Sequence, residues 1–373
     1  MELYKERVRK AQELMQKLGM DVLLILSPEN FFYFTGDLRK PPRILIPQQG
    51  EPTLLLFASE LEEVKKTNWI RLWRIKTYRS LHEMMMGIIE YFSSLGMEHP
   101  KVGVEMEFAT PAFLLERFKM ANPNVEVLDA KPVLGELRKR KDESEIECIR
   151  KACQIADSGM ELAVKMIREG IREKEIALEV EYQMRKADAE RISFPIFVNS
   201  GYRSLWTHGG ATEKKIERGD FVLIDLGPVY KGYCGDICRT FVLGKTTDKQ
   251  KQLHSIYSQM QLTVMESIKP GVKLFELEEK AYEIANQSGF GEYYIRGLVH
   301  GLGLSFEELP VPTIFPEDVM EEICSGMTLA VGHSVLSVPH IGGARVEDTV
   351  LVKEKGIEML TRFPRGLKEI GYA

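Results

Sequence analysis

The stretch FVLIDLGPVYKGYCGDICRTF, residues 221–241, decides how this chain is read. FVLIDLG and YCGDICRTF are two strand-like runs joined by PVYK, the pattern of a hairpin. Asp225 and Asp236 stand in otherwise apolar company, where an ionised carboxylate is costly unless paired, hydrogen-bonded or bound to a metal. Two such groups repel each other unless a cation lies between them. The plainer reading is that each caps a turn or bonds a buried backbone group. Cys234, Asp236 and Cys238 share one strand face by alternation, but a buried cysteine usually serves as a small apolar residue.

Working outward, GLVHGLGLSFEELP (297–310) frames His300 with Gly301 and Gly303, which let the backbone bend and approach other groups. A lone histidine is more often a core hydrogen-bonding group than a ligand. ARVEDTVLV (344–352) reads as a strand with Arg345, Glu347 and Thr349 on one face. Each signal is weak alone. Together, two hairpin aspartates, a glycine-framed histidine and a late strand glutamate offer one nitrogen and several oxygens. That mixture suits Mn, Co, Fe or Zn, at one or two ions per chain.

At 373 residues the chain is long for a single core, so two domains are expected. The first third alternates helical and strand-like patterns and reads as a small α/β domain. Its strands are DVLLILSP, the hairpin RILIPQQGEPTLLLF, RLWRIKTY, KVGVEME and VEVLDA; its helices are the amphipathic N-terminus, ELEEVKKTNW, SLHEMMMGIIEYFSSLG and PAFLLERFKMA. ELRKRKDESEIECIRKACQIADSGMELAVKMIREG then reads as one long helical run closed by Gly170. The boundary falls between Ala130 and Asp142, giving a first domain of residues 1–132 and a second of 133–373. In the second, MIREGIREKEIALEVE (166–181) and SIKPGVKLFELEEKAY (267–282) align without gaps at an offset of 101, matching Gly170 to Gly271 and Glu175 to Glu276. A duplicated helix pair implies two similar halves about a pseudo-two-fold axis. Such halves often make a site at their seam.

The formal net charge of −5, with both signs interspersed, points to neither nucleic acid nor an anionic membrane as partner. No apolar run reaches the roughly 18 residues of a membrane span, and the charged N-terminus lacks the apolar core of a signal peptide. Five cysteines, an odd number without zinc-ribbon spacing, fit a reducing cytoplasm rather than a disulfide framework.

With these residues in view, the sequence resembles the pita-bread metallopeptidases: proline dipeptidase, aminopeptidase P and methionine aminopeptidase, with creatinase sharing the fold. Asp225 and Asp236, eleven residues apart, match the family's first two metal ligands; His300 in HGLGL matches its histidine ligand, and Glu347 in RVEDT its final, bridging glutamate. His208 falls where the family keeps a substrate-side histidine, and Arg345 would orient a ligand carboxylate. GMDVLLILSPENFFYFTGD resembles the opening of the creatinase and prolidase amino-terminal domain, and LRKRKDESEIECIRKA and LTRFPRGLKEI fit as well, so the likeness spans nearly the whole chain. It implies a small α/β N-terminal domain followed by a duplicated pita-bread domain. The implied protein is a cytoplasmic, metal-dependent hydrolase of the prolidase or aminopeptidase P type, forming a homodimer and cleaving small peptides near their amino terminus.

Two departures stand out. The family expects Glu-Pro-Gly after the strand that here reads GMTLAV. Aligned from that side, the glutamate falls on Gly332; counted back from Pro339 and Glu347, it falls on His333. Either way the carboxylate is gone. His333 is then a replacement ligand, a general base near its ordinary pKa, or neither, with Gly332 in the ligand position and His333 facing away. Second, the family's further histidine, seven residues after His300, is Glu307 here, a catalytic candidate, followed by Glu308. Loss of a ligand keeps two other readings open: a metal-free, creatinase-like hydrolase of a small amidino or amide compound, and a catalytically silent peptide- or protein-binding module.

Overall fold

The charged run after Gly135 does not form one helix. Helix Lys131–Lys139 stops, and helix Glu143–Met166 starts afresh at Asp142. The Asp142 side chain accepts from the Glu145 N–H at 3.0 Å, and Glu145 accepts in return from the Asp142 N–H at 3.0 Å. This capping box satisfies two helix-start donors that a continuous helix would bond elsewhere. Nor is Gly170 a C-cap: the second helix ends at Met166, and Gly170 (φ +79°) shapes the turn beyond it.

The computed structural model describes residues 1–39 and 43–371, and the chain divides into two units, Met1–Arg138 and Lys139–Ala373. The first unit is a six-stranded mixed sheet in the order Ile75–Tyr78, Thr53–Phe57, Ile44–Pro47, Val22–Ile25, Lys101–Val104, Glu126–Asp129. Its apolar strands pack against helix Leu81–Ser94 through Met84, Ile88, Tyr91 and Phe92. One helix is absent from the sequence reading, Pro28–Thr35, which begins inside the stretch DVLLILSP read as a strand. Ser27 caps it by accepting from the Asn30 N–H, and Pro28 occupies the first turn, where a missing N–H is harmless.

The second unit is built around an eight-stranded sheet. Its main path runs Val299–Gly301, Thr328–Val331, Glu347–Val352, Ile237–Leu243, Phe221–Leu226, Phe197–Ser200. The hairpin expected at 221–241 forms, with Asp225 paired to Cys238. PVYK is more than a turn, however: Pro228–Tyr230 pairs with Tyr233–Cys234 and with Arg191–Ile192 as a small separate sheet. Two helix pairs cover the large sheet, Glu143–Met166 with Glu173–Lys186 and Asp248–Ser267 with Leu274–Gln287. Each lies over its own apolar cluster.

The repeat read from the sequence extends to backbone bonds. Gly170 N donates to Ile216 O at 2.9 Å and Ile216 N to Ile171 O at 2.9 Å; Gly271 N donates to Ile323 O at 3.0 Å and Ile323 N to Val272 O at 2.8 Å. Both turns hold their glycine at positive φ, +79° and +90°, and both second helices open with a basic residue capped by a glutamate, Arg172 with Glu175 and Lys273 with Glu276.

Helix Asp248–Ser267 also buries His254, whose Nε2 has no hydrogen-bond partner among the described residues. Burial, with Arg239 adding to it, lowers its pKa from 6.5 to about 4. The folded state therefore binds this proton less readily than the unfolded chain. Its contribution is complete above pH 6.5 and is lost as pH falls towards 4, by up to about 3 kcal/mol. His254→Gln is expected to remove that limb, and subtracting urea-derived stabilities of the two proteins across pH 4–7.5 measures it. A difference that does not vary with pH would refute this assignment.

Candidate metal centre

Strand register brings the acidic residues together. In antiparallel pairs, directly opposed residues project to the same face. Asp225 lies opposite Cys238, and Cys238 lies opposite Glu347 on the neighbouring strand. His300 is opposite Ala330, and Ala330 is opposite Thr349, two residues beyond Glu347. Asp225, Glu347 and His300 therefore share one face, though they are far apart in sequence. Asp236 sits just before strand Ile237–Leu243, where Thr349 fixes its backbone: the hydroxyl accepts from Asp236 N at 3.2 Å and donates to Asp236 O at 2.8 Å.

The polar atoms cluster around His300 Nε2 and Glu347 Oε1. His300 Nε2 is 3.6 Å from Glu347 Oε1 and 3.9 Å from Asp236 Oδ2, and His333 Nδ1 is 3.8 Å from the same Glu347 oxygen. Metal–ligand bonds of about 2.1 Å in a tetrahedron would set ligand atoms roughly 3.4 Å apart, close to the His300–Glu347 separation. Asp236, His300 and Glu347 form one compact trio, and His300, Glu307 and His333 another. Asp225 Oδ1, Asp236 Oδ1, His300 Nε2 and Glu347 Oε1 are buried without a hydrogen-bond partner among the described residues. Leaving such atoms unpaired is costly, and a cation held among Asp236, His300 and Glu347 answers those of His300 and Glu347. Asp225 is the outlying member. Its Oδ2 is held at 2.5 Å by Arg345, whose other Nη donates to Thr207 O at 2.8 Å.

Charge tells the same story. Burial, reinforced by Glu347 and resisted by Arg345, pushes the Asp225 carboxyl up to about 7. Burial, with Glu347 and then Asp225 adding to it, raises Asp236 well above its ordinary value. His300 is raised although burial opposes it, because the Glu347 carboxylate lies beside it. A site that strains to keep its carboxylates charged is one that a divalent ion relieves. Cys234 and Cys238 take no part: the potential metal clusters among the described residues contain no cysteine, and burial pushes the Cys238 thiol well up, packed with Leu223 and Val335.

The question at 332–333 has a geometric answer. His333 faces into the site, its ring 4.7 Å from that of His300 and 5.5 Å from that of His208. The reading in which Gly332 takes the ligand position and His333 turns away is therefore corrected. Gly332 has φ +126°, and a Cβ there would collide with the carbonyl oxygen of Val346 and lie 2.7 Å from the Glu347 Cα. No side chain fits, so the inward group is supplied by the next residue. Burial, with His300, Arg345 and His208 adding positive charge, lowers the His333 pKa well below 6.5, keeping the ring neutral.

Around this centre, Glu307 approaches His333 Nε2 to 3.4 Å, whereas its neighbour Glu308 pairs with Lys141 at 2.7 Å. His208 is solvent-exposed at the edge of the cluster, its pKa lowered by desolvation and then by Arg345. An aromatic file leads outward from it: His208 to Phe197 at 6.2 Å, Phe197 to Phe194 at 5.4 Å, Phe194 to Phe306 at 5.5 Å. All the residues singled out from sequence for metal or catalysis are thus gathered here.

Several supports were not singled out. Arg239 donates to Glu347 O at 2.7 Å and pairs with Asp348 at 2.7 Å, and Arg365 pairs with the other Asp348 oxygen at 2.7 Å. The Tyr257 hydroxyl donates to Gly332 O at 2.5 Å, and Gln261 donates to Val331 O at 2.9 Å. These hold the two strand ends carrying His333 and Glu347. Their only signal in the sequence is an acidic residue directly beside a ligand, with its basic partners far away along the chain.

Residues 147–354 match the sequence pattern described as Metallopeptidase family M24, and residues 7–140 match that of the Creatinase/Prolidase N-terminal domain. An Xaa-Pro dipeptidase of Pyrococcus furiosus is 35% identical over 97% of this chain and 99% of its own. The crystal structure of the prolidase from Pyrococcus horikoshii OT3 superposes with a TM-score of 0.87 at 34% identity, covering 97% of this chain and 99% of that one. An Xaa-Pro dipeptidase structure from Bacillus anthracis gives a TM-score of 0.88 at 29% identity, over 98% of this chain and 100% of that one. No described helix is long and apolar enough to cross a membrane.

Proposed function

The chain belongs to metallopeptidase family M24, and from that premise we propose that it is a hydrolase of the Xaa-Pro dipeptidase type with one tightly held divalent ion of the Mn, Co, Fe or Zn class. The observation carrying this reading is the compact buried trio Asp236, His300 and Glu347, in which His300 Nε2 and Glu347 Oε1 lack a hydrogen-bond partner among the described residues, with His333 Nδ1 3.8 Å from that glutamate oxygen. A second ion would have only Asp225 Oδ1, already next to an arginine, the remaining Asp236 oxygen and a share of Glu347. Replacing a carboxylate by a neutral imidazole also removes a negative charge that a second divalent ion needs.

When bound, such an ion supplies Lewis acidity and an acidified water capable of attacking an amide carbonyl. The chain supplies the rest. Arg345 opposes the burial that raises the Asp225 carboxyl and, through Thr207 O, ties down the loop bearing His208. His208, exposed and with its ring 5.5 Å from that of His333, orients the substrate's carbonyl or leaving nitrogen. The Phe197–Phe194–Phe306 wall gives an apolar surface against which a proline ring packs without losing rotamer freedom.

The test is to purify the protein without chelators, incubate it with Mn, Co or Zn in turn, and measure metal per chain beside cleavage of Xaa-Pro dipeptides and their non-proline counterparts. One ion per chain with cleavage favouring Xaa-Pro is expected. His333→Ala should weaken ion affinity by at least the roughly 10- to 100-fold that losing an outer partner brings. Absence of both uptake and cleavage would overturn the reading, leaving the metal-free hydrolase and the silent binding module as the alternatives.

A further inference from the structure

Among the described residues, His333 is the one imidazole with a carboxylate near each nitrogen: Nδ1 is 3.8 Å from Glu347 Oε1 and Nε2 is 3.4 Å from Glu307 Oε1. The two sides differ. Glu347 Oε1 is buried, unpaired and shared with His300, whereas Glu307 is partly exposed. A neutral imidazole carries one N–H and one lone pair, and which nitrogen has which is set by the partners it meets. The lone pair belongs on the side of the unpaired cluster, and the proton on the side of the solvated carboxylate.

We propose that Glu307 is a positioning residue: by accepting from His333 Nε2–H it locks the tautomer and ring orientation that present Nδ1 to the ion. The inference rests on the metal site proposed above and gives it an outer partner specific to this chain. It also accounts for both sequence departures together. A histidine stands where a carboxylate was expected and a carboxylate where a histidine was expected, and the exchanged residues face each other. The competing arrangement, with Glu307 as a direct ligand alongside His300 and His333, is geometrically compact too. It would leave His333 Nδ1 and the unpaired Glu347 oxygen unused.

Cobalt titration separates these. Co(II) affinity and visible absorption are measured for the full-length protein, Glu307→Ala, Glu307→Gln, His333→Ala and the Glu307→Ala/His333→Ala double variant. Glu307→Ala is expected to lose roughly 10- to 100-fold in affinity, as for other outer partners, yet to keep the wild-type absorption at saturation because the ligands are unchanged. Glu307→Gln, whose amide oxygen still accepts, should recover most of the loss. In the His333→Ala background, Glu307→Ala should add nothing, because its effect runs through the missing ring. Full affinity in Glu307→Ala, a changed spectrum, or a loss that persists without His333 would each overturn the proposal while leaving the metal site standing. A wild-type protein that takes up no cobalt would overturn the metal site itself and this inference with it.

Discussion

Gly332→Ala is expected to cost about 3–5 kcal/mol of stability, combining positive-φ strain with overpacking. The added methyl meets backbone on every near side: the Val346 carbonyl, and the Glu347 Cα at 2.7 Å. Neither can move as a side chain tip would. Arg239 grips the Glu347 carbonyl at 2.7 Å, and Gly332 N is tied to Leu298 O at 2.7 Å, so relief means prising two strand ends apart. Urea unfolding should show a lower midpoint with an unchanged slope. Because the strand end that shifts carries Glu347, ion affinity should fall as well. Gly332→Glu, which puts a carboxylate back at one of the two aligned positions, should be worse than Gly332→Ala. A wild-type midpoint in Gly332→Ala would mean that the strand ends are looser than these contacts require.

Arg345→Met should destabilise the metal-free protein at neutral pH by roughly 3–5 kcal/mol, the usual consequence of breaking a buried ion pair on one side. Arg345 is fully buried, bonded to Asp225 and to Thr207 O, and is the positive charge that offsets Asp225, Asp236 and Glu347. Methionine keeps much of the volume and none of the charge. Saturating divalent ion should stabilise this variant more than it stabilises the parent, since the cation then supplies the missing charge as well as binding energy. Melting the two proteins with and without Mn decides the matter. Equal increments would show that Arg345 and the ion do not share the same carboxylates.

Much of this was legible in the chain. Asp225, Asp236, His300 and Glu347 could be named because acids and a glycine-framed histidine within apolar strands have few inexpensive fates, and the helix repeat forecast the doubled turns at Gly170 and Gly271. What escaped was set by distant partners. Whether residue 332 or 333 faces inward depends on how closely Val346 approaches, which no local pattern encodes. Arg239 and Arg365 lie 109 and 17 residues from the Asp348 they clamp. Two local signals were present and outweighed. Asp142 with Glu145 spells a capping box, but the surrounding charges keep helical spacing on both sides of it. Ser27-Pro28 spells a helix start, but it follows directly on a buried strand.

The doubled turns have a consequence for how the centre can change over time. The first half contributes Asp225 and Asp236; the second contributes His300, Glu307, His333 and Glu347. Neither half owns a complete ligand set, yet each has its own apolar cluster beneath its own helix pair. Fold and chemistry are therefore separable inheritances: the clusters keep each half standing while the seam is renegotiated. The histidine and glutamate that depart from the expected pattern both lie in the second half, so a revision confined to one side alters the ion's surroundings and leaves the aspartate hairpin as it was.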